Sequence, residues 1–225
     1  MDNKPSLIVF DMDGTLYPKI PQWPTTYREA ATSLISKHRN CSPERALKML
    51  EAARRDLAQR WGGRSSTTVV LLSYFPEIGF EELAVEVDER HEVERLLQVD
   101  QASVGALERL SDEYPILLHT LNNERTAERV LSSIAMAHLF PREHRYTLNT
   151  WNRLELPRQE KIKHLKPGLE GFRYILKESS HNAAETLMVG DSLTSDIEPA
   201  QRLGMQSYHV KEPKDLVRLA ESLCS

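Results

Sequence analysis

Ser6-Leu-Ile-Val-Phe-Asp-Met-Asp-Gly-Thr-Leu-Tyr17 is the stretch that decides the fold. Leu7, Ile8, Val9 and Phe10 form an unbroken apolar run, the pattern of a strand buried on both faces of a parallel sheet. The run stops at Asp11, and Asp13 and Gly14 follow at once. Two carboxylates at the end of a core strand repel one another and resist leaving water, so a bound divalent cation is the simplest offset. Gly14 permits the sharp turn that would aim both at one point. A polar, strand-ending turn is the alternative with no chemistry in it. Asp-x-Asp-Gly also opens calcium loops, but those carry a Glu at their twelfth position, where this chain has Gln22.

On the C-terminal side a proline-rich stretch, Pro18, Pro21 and Pro24, reads as a linker, because proline is excluded from helix interiors. Helical patterns then take over. Thr26 and Glu29 have capping-box spacing ahead of Tyr27, Ala30, Ala31, Leu34 and Ile35 on one apolar face. Ser42-Pro43-Glu44 starts a second helix, with Ala46, Leu47, Leu50, Leu57 and Trp61 inward and Gly62-Gly63 closing it. Val69 to Phe75 suits helix or strand, and its helical surroundings favour helix. Phe80 to about Leu97 is again helical in composition. Residues 19–99 thus read as a helical insertion separating the first strand from the rest of its sheet.

Strand and helix alternate after Asp100. A helix with Val104, Leu107 and Leu110 leads to a buried strand, Pro115 to Thr120. Asn122 or Asn123 can cap the next helix, which carries Ala127, Val130, Leu131 and Ile134. Tyr146 to Leu148 reads as a short strand, and Lys166-Pro-Gly168 precedes a helix with Phe172, Ile175 and Leu176. Thr186 to Val189 is a strand ending in Gly190-Asp191. Ile197 to Leu203 is helical and stopped by Gly204; Gln206 to Val210 and Asp215 to Leu223 close the chain as strand and helix. This order is that of an α/β fold, a doubly wound, Rossmann-like parallel sheet built from 1–18 and 100–225. Ligands of such sheets sit beyond the carboxyl ends of the strands. Asp11, Thr120 and Asp191 all fall there, with Asp13 just beyond Asp11.

Composition narrows the function classes. With 29 basic and 33 acidic residues the chain offers no electrostatic footprint for nucleic acid. No apolar run approaches the roughly 18 residues of a membrane span. The strand at Ser6 leaves no room for a signal peptide, and Cys41 and Cys224 are too few for a disulfide framework, so a reduced, cytoplasmic setting is expected.

Four segments together resemble the haloacid dehalogenase superfamily of phosphohydrolases: Asp11-Met-Asp13-Gly14-Thr15-Leu16-Tyr17, Thr120 closing Ile-Leu-Leu-His-Thr, Lys166-Pro-Gly, and Gly190-Asp191-Ser-Leu-Thr-Ser-Asp196. The resemblance runs from about Ser6 to Val210, and the insertion is similar to that family's C1 cap. It implies that Asp11 is a nucleophile forming an aspartyl-phosphate and that Asp13 is the general acid and base. It further implies Mg²⁺ held by Asp11, the Asp13 carbonyl and Asp191, with Asp196 nearby. Thr120 and the Leu121 amide would hold a phosphoryl oxygen, and Lys166 would balance charge. Many members carry Asn-Gly after the Thr, whereas here Leu121 precedes Asn122; Asn122 is retained as a substrate-binding candidate. An acid two residues after the nucleophile favours a phosphatase, and after it a phosphomutase, over members that dehalogenate or cleave phosphonates. The expected partner is a small phosphate monoester. The Asp-Gly-Thr-Leu-Tyr-Pro opening is similar to the pyrimidine 5′-nucleotidase branch, with phosphoglycolate or sugar-phosphate phosphatases, or a non-catalytic binding or regulatory module, as alternatives. His119, and Trp61 beside Arg64, read as packing residues, and Arg54-Arg55 as a solvated helix face.

Overall fold

The computed structural model describes residues 4–61, 66–90 and 93–224. Strand β1 (Leu7–Phe10) is followed by five helices: α1 (Trp23–Arg39), α2 (Pro43–Trp61), α3 (Thr67–Tyr74), α4 (Phe80–Asp88) and α5 (Val93–Leu96). The alternating part comprises α6 (Gln101–Glu113), β2 (Ile116–His119), α7 (Glu124–Ser133), β3 (Arg145–Tyr146), α8 (Leu148–Arg153), α9 (Arg158–Ile162), α10 (Leu169–Glu178), β4 (Thr186–Gly190), α11 (Glu198–Arg202), β5 (Gln206–His209) and α12 (Asp215–Leu223). All strand pairs are parallel, in the order β3-β2-β1-β4-β5. Chain order reverses direction between β1 and β4, and a crevice opens at that switch point beyond the strand ends.

The two-residue period of a strand sends alternate side chains to opposite faces. Leu7, Val9, Leu117 and Met188 therefore pack with Phe172 and Ile175 of α10. Ile8, Phe10, Ile116, Leu118, Leu187 and Val189 pack with α6, α7 and α12 through Leu107, Leu110, Val130, Leu131, Leu216 and Leu219. Both faces are covered, which is why β1 reads as a continuous apolar run rather than an alternating one.

Several local expectations shift. Helix α1 begins at Trp23, and Pro24 sits in its first turn, where a missing N–H costs nothing. The Thr26–Glu29 capping box is accordingly not made, and the Thr26 hydroxyl donates instead to the Gln22 carbonyl. Ser42 does cap α2, accepting from the Arg45 N–H at 3.3 Å. The segment from Val69 is helical, within α3. The expected helix from Phe80 to Leu97 ends at Asp88, whose carbonyl accepts from Arg129 Nη1 of α7 at 3.3 Å; a separate helix, α5, follows. β3 stops at Tyr146 because Thr147 turns to open α8. Gly62-Gly63, Arg64 and the Trp61 side chain lie outside the described residues. No helix among the described residues is long and apolar enough to cross a membrane.

The helices inserted after β1 are docked on the rest of the molecule by Arg158 of α9. Its guanidinium donates to the carbonyls of Leu72 at 3.0 Å, Ile78 at 2.8 Å and Phe75 at 3.4 Å, and lies 5.3 Å from the Phe80 ring centroid. These carbonyls belong to the end of α3 and the turn after it, where helical partners run out. Removing a charged donor from half-buried acceptors costs about 1.5–3 kcal/mol. Arg158→Met is expected to lower unfolding free energy by that amount in denaturant titration; an unchanged midpoint would mean that water replaces the guanidinium freely.

Candidate active site

The crevice at the β1–β4 switch point holds a cavity of about 380 Å³ lined by residues that include Asp11, Asp13, Asn122, Lys166, Asp191 and Asp196. β1 delivers Asp11, whose backbone N–H still donates to Val189 of β4 at 2.8 Å, so the carboxylate sits where sheet pairing stops. Gly14 follows with φ +81°, and a Cβ there would lie 2.8 Å from the Lys19 side chain and 3.0 Å from the Asp191 carboxyl carbon. The turn is thus restricted to glycine both by backbone angle and by the neighbours it meets.

Lys166 lies at the centre. Its ammonium is buried and contacts Asp11 Oδ1 at 2.5 Å and Asp196 Oδ1 at 2.7 Å. Burial opposes its charge, but the two carboxylates win and hold it protonated above the usual lysine range. Asp196 reaches it from a π-helical turn, Leu193–Ile197, which leads into α11, the helix expected from Ile197 onward. The wide turn lets Asp196 Oδ2 accept from the Ser192 N–H at 3.0 Å. Gly190 makes room for it, since a Cβ there would come within 2.5 Å of the Asp196 Cβ. Burial pushes the Asp196 carboxyl upward, against the pull of Lys166.

Asp13 is raised to about 7, first by burial and then by the charge of Asp11. Three groups aim hydrogens in its direction or support those that do. The Tyr17 hydroxyl donates to Asp13 Oδ1, Asn122 Nδ2 donates to Oδ2 at 2.5 Å, and the Tyr27 hydroxyl of α1 donates to Asn122 Oδ1. Asn122 and Asn123 therefore divide two roles that the sequence leaves interchangeable. Asn123 caps α7, accepting from the Thr126 N–H at 2.8 Å, while Asn122 faces Asp13.

Thr120 is fully buried and is not among the residues lining the cavity; its Oγ1 accepts from the Asn122 backbone N–H at 3.1 Å. Leu121 and Asn122 form the wall at that point. Thr15, not singled out from the sequence, donates to Asp11 Oδ2 at 3.3 Å; its place inside the Asp11–Tyr17 segment was the available signal. His119 is wholly buried against Trp151 and Phe172, and neither ring nitrogen has a hydrogen-bond partner. Burial drives its pKa well below the ordinary value, so it packs as a neutral ring.

Carboxylate oxygens of Asp11, Asp191 and Asp196 lie within 4.8 Å of one another. With Asp13 they set four acids against two ammonium groups, Lys166 and Lys19. Lys19 pairs with Asp191 but is 73% exposed, so it can yield to a cation. Burial, and to a lesser degree the charge of Asp11, raises Asp191 despite Lys19. All-oxygen donors of this kind fit a hard divalent ion such as Mg²⁺.

Comparison with known proteins agrees with this geometry. A haloacid dehalogenase-like hydrolase family matches residues 5–204. The chain is 27% identical over 219 residues to a glyceraldehyde 3-phosphate phosphatase of Methanocaldococcus jannaschii, covering 92% of this chain and 85% of that protein. Its fold is similar to a HAD phosphatase from Thermococcus onnurineus, with TM-score 0.55, 19% identity and coverage of 95% and 97% of the two chains. It is also similar to a predicted phosphoglycolate phosphatase from Haemophilus somnus, with TM-score 0.54, 19% identity and coverage of 92% and 85%. With its match spanning nearly the whole fold, the chain belongs to the haloacid dehalogenase-like hydrolases.

Proposed function

We propose that this hydrolase cleaves small phosphate monoesters in two displacements at Asp11. The observation that carries the reading is the meeting in one cavity of Asp11 and Asp13 after β1, Asn122 after β2, Asp191 after β4 and Lys166 from the loop before α10. Asp11 attacks phosphorus; an acyl–phosphate bond forms as the ester P–O bond breaks. Asp13, which keeps its proton up to about pH 7, gives it to the leaving oxygen. Asp13 then takes a proton from the water that attacks the phosphorus of the acyl phosphate, and Asp11 departs as carboxylate. Lys166 and Thr15 hold the Asp11 carboxylate in place through both steps. Thr120 fixes the turn that presents the Leu121 amide and Asn122 to the phosphoryl group.

Mg²⁺ would be held by Asp11, the Asp13 carbonyl and Asp191, with Asp196 in support, and would offset the charge of the phosphoryl oxygens. Asp191→Ala removes one anionic donor. Loss of outer-shell partners alone costs roughly 10–100-fold in metal affinity, so this change is expected to cost about 100-fold or more, read by calorimetric titration with Mg²⁺. Wild-type hydrolysis indifferent to EDTA would overturn the metal assignment.

The helices of residues 19–99 are assigned as a cap. Tyr27 bonds to Asn122, Arg158 grips the end of α3, and Asp88 accepts from Thr126 and Arg129, so the inserted helices lie over the strand ends. Water exclusion during transfer and admission of one water afterwards favour a cap that opens between turnovers. The small cavity and the named relative favour a short sugar phosphate. Nucleoside 5′-monophosphates form a second reading, because Trp23 and Tyr27 also line the cavity. A phosphate-release screen with Mg²⁺ over phosphoglycolate, triose and sugar phosphates and nucleotides tests the proposal. If phosphate is released from none of them, nor from p-nitrophenyl phosphate, the proposal sinks in favour of a non-catalytic binding module.

A further inference from the structure

Three cations line the cavity among the described residues, and two of them are already paired. Lys166 is held by Asp11 and Asp196, and Lys19 by Asp191. The third, Arg54 of α2, differs. Of the Arg54–Arg55 pair, Arg55 is on the solvated helix face, whereas the Arg54 side chain is 33% exposed and lines the cavity. Its Nη2 donates to the Thr67 hydroxyl at 2.9 Å, and its Nε, buried, makes no hydrogen bond. Its nearest carboxylate contact, Glu51 Oε2, is 3.7 Å from Nε, beyond hydrogen-bond reach. A cavity-lining guanidinium whose Nε is buried without an acceptor favours an oxyanion, which its planar fork can bind through two parallel hydrogen bonds. The hydroxyl-bearing residues around it, Ser66, Thr67 and Thr68, open α3 and line the same wall.

We propose that Arg54 anchors an oxyanion on the departing part of the substrate, so that the preferred esters carry a carboxylate or a second phosphate besides the phosphoryl group transferred at Asp11. The inference rests on the reading of Asp11 as phosphoryl acceptor. Two negative ends then fit one cavity. The transferred phosphoryl group then lies by Lys166 and the acids that would hold Mg²⁺, and the second anion meets Arg54 of α2. A neutral leaving group, such as a nucleoside or an aldehyde sugar, leaves Arg54 Nε without a hydrogen-bond acceptor, its only nearby charge being Glu51 at 3.7 Å among the described residues.

The test compares kcat/KM of wild type, Arg54→Met and Arg54→Lys with Mg²⁺. The esters are 2-phosphoglycolate, fructose 1,6-bisphosphate, glyceraldehyde 3-phosphate, uridine 5′-monophosphate and p-nitrophenyl phosphate. Wild type is expected to favour one or both of the first two over the other three. Arg54→Met is expected to lower kcat/KM for the favoured anionic ester about 10–100-fold more than for p-nitrophenyl phosphate, mainly through KM. Arg54→Lys is expected to fall between, because it keeps the charge but loses the fork. A loss confined to phosphoglycolate identifies the carboxylate, and one confined to the bisphosphate identifies the second phosphate. Equal losses for all esters, or a wild-type preference for the three neutral-leaving-group esters, would overturn the role of Arg54 while leaving phosphatase activity standing. Failure of wild type to hydrolyse any ester would overturn the underlying function and this inference with it.

Discussion

Asp11→Asn is expected to abolish turnover, by about 10⁶-fold, the scale on which removing a covalent nucleophile acts. An amide oxygen is a poor nucleophile, and it carries no charge for the cation or for Lys166. The fold is expected to survive. The substitution keeps side-chain volume; with the amide oxygen at the Oδ1 position it still accepts from Lys166, and the amide NH2 at the Oδ2 position can donate to the Thr15 hydroxyl. The loss of one negative charge also relieves Asp13 and Asp196, both of which Asp11 pushes upward. Steady-state hydrolysis of p-nitrophenyl phosphate, together with thermal unfolding, separates catalytic from structural loss. A variant that retains even a hundredth of wild-type kcat would remove Asp11 from the nucleophile's role.

Lys166→Met is expected to damage both stability and activity. Its ammonium is the shared partner of two buried carboxylates, at 2.5 and 2.7 Å, and methionine leaves both without it. Removing one partner from a buried ion pair typically costs about 3–5 kcal/mol, because the charge left behind stays desolvated. For a chain of this size that corresponds to roughly 6–20 °C in Tm. Kinetic loss follows from an Asp11 carboxylate that is no longer aimed. Thermal unfolding at neutral pH reads the first effect. A Tm within a degree or two of wild type would mean that water already reaches Asp11 and Asp196, contrary to their burial.

Much of this was legible in the chain because burial on both faces leaves a plain record. β1, β2 and β4 stand out as apolar runs; Asp11 and Asp191 follow two of them directly into the site, while Thr120 after β2 is buried and it is Asn122, two residues on, that reaches the cavity. The edge strands leave weaker traces. β5 is only half buried, and β3 is cut short by Thr147 opening the next helix. Gly14 and Gly190 mark close approaches, and both sit within recognisable segments. What could not be read was long-range side-chain pairing. Tyr27 fits the apolar stripe of its helix, yet its hydroxyl bonds to Asn122, 95 residues away. Arg54 adjoins Arg55 in an otherwise ordinary charged run, and only the packing of α2 against α3 turns one inward and the other out. The π-helical turn at Leu193–Ile197 likewise has no local sequence mark distinguishing it from an α-helical start.

The central claim is that hydrolysis proceeds through two displacements, with the phosphoryl group resting on Asp11 between them. The stereochemical course at phosphorus tests it most directly. A phosphorothioate ester made chiral with oxygen isotopes is hydrolysed in isotopically labelled water, and the configuration of the thiophosphate product is read. Two successive in-line attacks, first by Asp11 and then by water, each invert the centre, so net retention is predicted. Net inversion would mean that water attacks the substrate directly, and would contradict the account.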